Sequence, residues 1–107
     1  MSAEFVTELT SDTFDSETAN GLVLVDFWAP WCAPCRMMSP IVDVVAEKMK
    51  NTAKFVKVNI DESPDLPARF GIRSIPTLLL IKNGAEVDTH TGVMRPDDLM
   101  GMINRNA

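Results

Sequence analysis

Between Leu22 and Trp28 the chain runs Leu-Val-Leu-Val-Asp-Phe-Trp, apolar at every position except Asp26. A run apolar on both faces predicts a central strand rather than a half-exposed one. The pattern then changes period. Met37, Met38, Ile41, Val42, Val45, Ala46 and Met49 fall on one 3.6-residue face, which predicts a helix from about Pro34 to Met49. Pro40 lies inside it and predicts a kink, because the Arg36 carbonyl loses its helical partner. Phe55 to Ile60 is a second apolar strand. Strand, helix and strand over residues 22–60 form a βαβ unit, so the two strands are expected parallel with a right-handed crossover.

The flanking pattern is weaker but consistent. Glu4 to Thr7 suits a short edge strand. Thr10 or Ser11 can cap a helix over Asp12 to Thr18, which Asn20-Gly21 ends. Ser63 reads as an N-cap with Pro64 at the first helical position of a short helix to Phe70, stopped by Gly71. Thr77 to Lys82 is a third apolar strand, and Asn83-Gly84 predicts a hairpin into Glu86 to Thr91, which Gly92 breaks. A last helix runs from Pro96 to about Asn104, behind Arg95, a poor cap. The expected architecture is α/β: a central mixed five-stranded sheet flanked by helices on both faces, in one domain over residues 1–107. In such folds the chemistry sits at the carboxyl ends of parallel strands.

Composition narrows the function. The chain has 107 residues, 46% of them hydrophobic, and a formal net charge of -5. No basic block is present, which argues against nucleic acid and anionic membranes as partners. No apolar run approaches the ~20 residues of a membrane span. Met1-Ser2-Ala3-Glu4 shows neither a basic nor an apolar leader region, so a cytoplasmic, reducing compartment is expected.

Both cysteines lie in Trp31-Cys32-Ala33-Pro34-Cys35, where the best strand hands over to the longest helix. A helix start leaves backbone N–H groups unpaired and is the positive end of the macrodipole, so a Cys32 thiolate is stabilised there. Cys35, three residues on, is close enough to attack a disulfide formed at Cys32. Pro34 fits the first turn, where its missing N–H costs nothing. A structural disulfide and half a metal site are the competing readings. Structural zinc takes four Cys or His ligands, and His90 is the single histidine, so one chain cannot close such a site. No bound metal or cofactor is expected. Asp26 is either a strand-end carboxylate at the surface or a buried acid with a raised pKa. Lys57, in the neighbouring strand, is either its partner or an outward-facing lysine.

The chain resembles the thioredoxin family over essentially its whole length. The resemblance rests on Asp26-Phe27-Trp28-Ala29, Trp31-Cys32-Ala33-Pro34-Cys35, Pro40, Lys57, Asp61, Ile75-Pro76-Thr77, Asn83-Gly84 and Gly92. It implies the thioredoxin fold and a protein dithiol–disulfide oxidoreductase acting through reversible oxidation of Cys32 and Cys35. Cys32 is then the attacking thiol and Cys35 the resolving one, with Asp26 under the disulfide assisting proton transfer to Cys35 and Lys57 as the natural partner of Asp26 in the catalytic set. Trp31, Ala33, Pro34, Ile75, Pro76, Gly92 and Val93 are implied to contact the substrate. The rarity of cis X–Pro bonds, about 5–6%, predicts a trans Pro76; the resemblance implies cis, packed against the cysteines, with neighbouring backbone free to pair with an extended substrate. The implied partners are disulfide-containing proteins and an NADPH-dependent thioredoxin reductase, and the implied state is a monomer.

Three positions depart from the family pattern: Ala33 replaces glycine, Thr91 is more polar than usual, and Arg36 replaces lysine. Gly to Ala in a helix is worth at most about 1 kcal/mol, and only the part that differs between redox states moves the potential, so the shift is no more than roughly 20 mV. That is small against the ~150 mV separating reducing from strongly oxidising dithiols. Two further functions stay open: a binding or chaperone-like subunit with incidental thiols, and a thiol oxidant or isomerase.

Overall fold

A computed structural model describes residues 4–107. Strands β1 (Val6–Leu9), β2 (Leu22–Trp28), β3 (Lys54–Asn59), β4 (Thr77–Lys82) and β5 (Ala85–Thr91) alternate with helices α1 (Ser11–Glu17), α2 (Ala33–Lys48), α3 (Asp65–Arg69) and α4 (Pro96–Asn106). The sheet order is β1-β3-β2-β4-β5. β1 and β2 both pair parallel with β3, while β4 pairs antiparallel with β2 and β5. This is the expected five-stranded mixed sheet.

Alternation along β2 divides the core in two. Leu22 and Leu24 face α2 and α4, packing with Met38, Val42, Leu99 and Ile103. Val23, Val25 and Phe27 face the other side, packing with Phe14 of α1 and Leu66 of α3. Each such apolar side chain, fully withdrawn from water, contributes about 1.5–3 kcal/mol. Asp26 shares the face of Leu22 and Leu24 and therefore points towards α2.

Several expectations move. β1 spans Val6–Leu9 rather than 4–7, because that register pairs Leu9 with Val58 and buries it. Ser63 does not cap α3. Its Oγ accepts from the Ser11 N–H at 3.1 Å, fastening α1 to α3, and Pro64 takes the cap position. Met37 is 64% exposed, whereas the buried face of α2 is Cys35, Met38, Val42, Val45 and Ala46. α2 spans Ala33–Lys48, with Pro40 inside it as expected, and α4 extends to Asn106. The hairpin turn places Asn83 and Gly84 at φ 51° and 85°, which the Asn-Gly pair tolerates.

Candidate redox site

β2 and β3 are parallel, so their carboxyl ends emerge at one edge, where the Ile60 N–H bonds the Trp28 carbonyl at 2.9 Å. The chain leaves β2, turns through Ala29–Trp31, and enters α2 with Cys32 as its N-cap. The Cys35 N–H donates to Cys32 Sγ at 3.2 Å. One unpaired donor of the helix start is thus aimed at that sulfur. Arg36 Nη1 donates to the Pro30 carbonyl at 3.0 Å, tying the first turn back to the loop. Cys32 and Cys35 are joined by a disulfide, with Cα atoms 5.2 Å apart.

Both cysteines are buried, yet they line different spaces. Cys32 opens on an apolar groove of about 580 Å³, with Trp31, Ala33, Pro34 and Ile75 along it. Cys35 opens inward, on a cavity of about 100 Å³ lined also by Asp26, Trp28, Arg36, Ser39 and Lys57. One end of the disulfide faces the surface and the other faces a buried acid.

That acid is Asp26, 4% exposed. Burial pushes its pKa up from 3.8 to about 7; the Lys57 charge pulls the other way, while Asp43 and Glu8 add to the rise. Oδ1 has no hydrogen-bond partner among the described residues. Asp26 is therefore the buried acid, not a surface carboxylate. Lys57 sits opposite it in the β2–β3 register and is half-buried, with Nζ 5.1 Å from the centre of the Trp28 ring.

Trp31 is 64% exposed, and its Nε1 donates to Asp61 Oδ2 at 3.0 Å, which holds the indole at the groove. Asp61 is itself fixed by its N–H bond to Asn59 Oδ1 at 2.9 Å. The Ile75–Pro76 bond is cis, as the family pattern implies. The Ile75 carbonyl lies 3.8 Å from Cys32 Sγ. Pro76 is buried, and its carbonyl accepts from the Gly92 N–H at 2.8 Å. Gly92 and exposed Val93 adjoin this pair but do not line the groove. The groove wall instead includes Ile60, Pro67, Ile72, Arg73 and Ser74, which sequence reasoning missed. The signal for Ile60 was available: it follows β3 at the same carboxyl edge as the cysteines.

Thr91 Oγ1 is 3.3 Å from Thr77 Oγ1, its cross-strand partner, so its added polarity is satisfied within the sheet. Among the described residues, no group of three or more His, Cys, Asp or Glu is placed to hold a metal ion. No helix among them is long and apolar enough to cross a membrane.

Known proteins place the site in context. The family profile described as Thioredoxin matches residues 5–105. A thioredoxin of Porphyra purpurea is 47% identical over 94% of this chain and 95% of its own length. A thioredoxin of Listeria monocytogenes is 46% identical over 94% and 97%, and one of Rickettsia bellii 44% over 92% and 95%. Nearly complete coverage in both directions leaves the cysteine pair, its helix start and the acid beneath it within the matched region. The chain belongs to the thioredoxin family and is a thiol–disulfide oxidoreductase that works through Cys32 and Cys35.

Proposed function

We propose that this protein is a general reductant of protein disulfides, acting as a monomeric domain in the cytoplasm and re-reduced by an NADPH-dependent thioredoxin reductase. The observation that carries this reading is the division of labour between the sulfurs: Cys32 borders the open groove and Cys35 the cavity of Asp26. Family membership supports the reductase, the compartment and the monomeric state as parts of this reading.

In the reduced protein the Cys32 thiolate, held by the Cys35 N–H at the positive end of α2, attacks one sulfur of a target disulfide. A mixed disulfide forms and the other target sulfur leaves as a thiolate. Cys35 then gives its proton to Asp26 and attacks Cys32 Sγ. The Cys32–Cys35 bond forms, the mixed disulfide breaks, and the second target thiol is released. Two electrons have passed to the target, and the reductase returns two from NADPH. Asp26 suits the proton step because its pKa lies near neutral pH. Lys57 keeps the ionised form of Asp26 tolerable within the cavity.

Trp31, Ala33, Pro34 and Ile75 form the apolar contact surface for the target, with Pro76, Gly92 and Val93 beyond Cys32. The test is insulin reduction with dithiothreitol as electron source. Cys32→Ser is expected to abolish turnover, and Cys35→Ser to accumulate mixed disulfides. Full activity of Cys32→Ser contradicts the reading and favours a binding role with incidental thiols.

A further inference from the structure

The register of the sheet places three ionisable residues in one row. Glu8 on β1 is opposite Lys57 on β3, and Lys57 is opposite Asp26 on β2. Directly opposed residues share a face, so all three project to the α2 side. Trp28 is two residues beyond Asp26 and shares that face. Its Nε1 donates to Glu8 Oε2 at 3.3 Å, while its ring carries the Lys57 ammonium. A carboxylate on the sheet edge thus holds the platform on which the cation beside Asp26 rests.

We propose that Glu8 is a positioning residue for the redox centre: it fixes the Trp28 indole beneath Lys57 and competes with Asp26 for the lysine's positive charge. The proposal rests on the reading of Asp26 as the proton acceptor for Cys35. The Lys57 ammonium acts on three carboxylates, Asp26, Glu8 and Asp43, and a cation shared in this way neutralises each less completely than one held by a single partner. Glu8 therefore raises the proton affinity of Asp26, so that the ionised carboxylate takes the Cys35 proton more readily and holds it until the disulfide is next reduced.

Glu8 acts on Asp26 directly, as a second negative charge, and through Lys57, which both carboxylates face. The groups facing Asp26 are Lys57 from β3, Glu8 from β1, and Asp43, Arg36 and disulfide-bonded Cys35 from α2. On β4 its opposite is Leu78, which separates it from His90 on β5. Glu8 itself faces Lys57, the Trp28 indole and Glu62.

The proposal is tested by following the Asp26 carboxyl resonance through pH in the oxidised protein. Glu8→Gln retains an oxygen acceptor for the indole but removes the charge. It is expected to lower the Asp26 midpoint by about half a pH unit, the size of a partly exposed charge interaction. In a Lys57→Met background the same substitution should move the midpoint by less than half as much. The Trp28 indole proton resonance should follow Glu8 ionisation in the parent and lose that step in Glu8→Gln. An unmoved Asp26 midpoint overturns the proposal, as does an equal shift with and without Lys57. If the midpoint moves as stated but the pH profile of insulin reduction does not follow, the role given to Asp26 fails and the coupling through Glu8 stands.

Discussion

Asp26 and Lys57 are directly opposed across the β2–β3 pair, yet Asp26 Oδ1 has no hydrogen-bond partner among the described residues and the ammonium rests over Trp28. The carboxylate is thus compensated by a nearby field rather than by a bonded partner. A buried charge held this way is costly, and burial pushes the Asp26 pKa up.

Asp26 should make the fold less stable as pH rises. Below 3.8 it is protonated folded and unfolded, and it costs nothing. Between 3.8 and about 7 the unfolded chain ionises while the folded one does not, so stability falls through that window. Above it the full difference remains, roughly 4 kcal/mol as an upper bound. Asp26→Asn should therefore exceed the parent in urea stability at pH 8, with the gap closing towards pH 4. Parallel stability curves would show that Asp26 is not desolvated.

The Trp31–Asp61 bond should matter for protein targets alone. Asp61→Ala frees the indole and removes about 1 kcal/mol of ordering, so KM for insulin should rise roughly fivefold with kcat little changed. Reduction of a small aromatic disulfide, which needs no docked groove, should keep its rate. Equal losses on both substrates would mean that Asp61 supports the fold rather than docking.

Ala33 should leave the potential nearly untouched. Ala33→Gly is expected to move it by less than about 20 mV, because helix propensity differs by about 1 kcal/mol and acts partly in both redox states. Equilibration with glutathione measures it, and a shift of ~100 mV would require another cause, such as a change in the Cys35 N–H contact to Cys32.

How far the sequence carried depended on how local each feature is. β2 and α2 were legible because their apolar periods are strong and a helix start fixes Cys32 against Cys35 through adjacent residues. β1 was misplaced because its burial rests on one residue, Leu9, and on pairing with a strand some fifty positions later. Ser63 looked like a cap, but its hydroxyl is taken by the Ser11 N–H, a contact across 52 positions. Met37 shares the apolar character of the α2 face but falls beside the stripe through Cys35, Met38 and Val42 that meets the sheet. Whether Asp26 was buried could not follow from its strand alone; the position of α2 over that face decides it. The bonds Trp31–Asp61 and Trp28–Glu8 likewise join separate elements and leave no sequence spacing to detect.

The central claim is that the start of α2 activates Cys32 while Cys35 waits behind it. The most direct measurement is the pH dependence of iodoacetamide alkylation of the reduced protein, with each cysteine followed by mass spectrometry. Cys32 should react first, with an apparent pKa below the ~8.5 of an unperturbed thiol, and Cys35 far more slowly. Equal reactivity of the two thiols, or a Cys32 titrating at or above that value, would contradict the account.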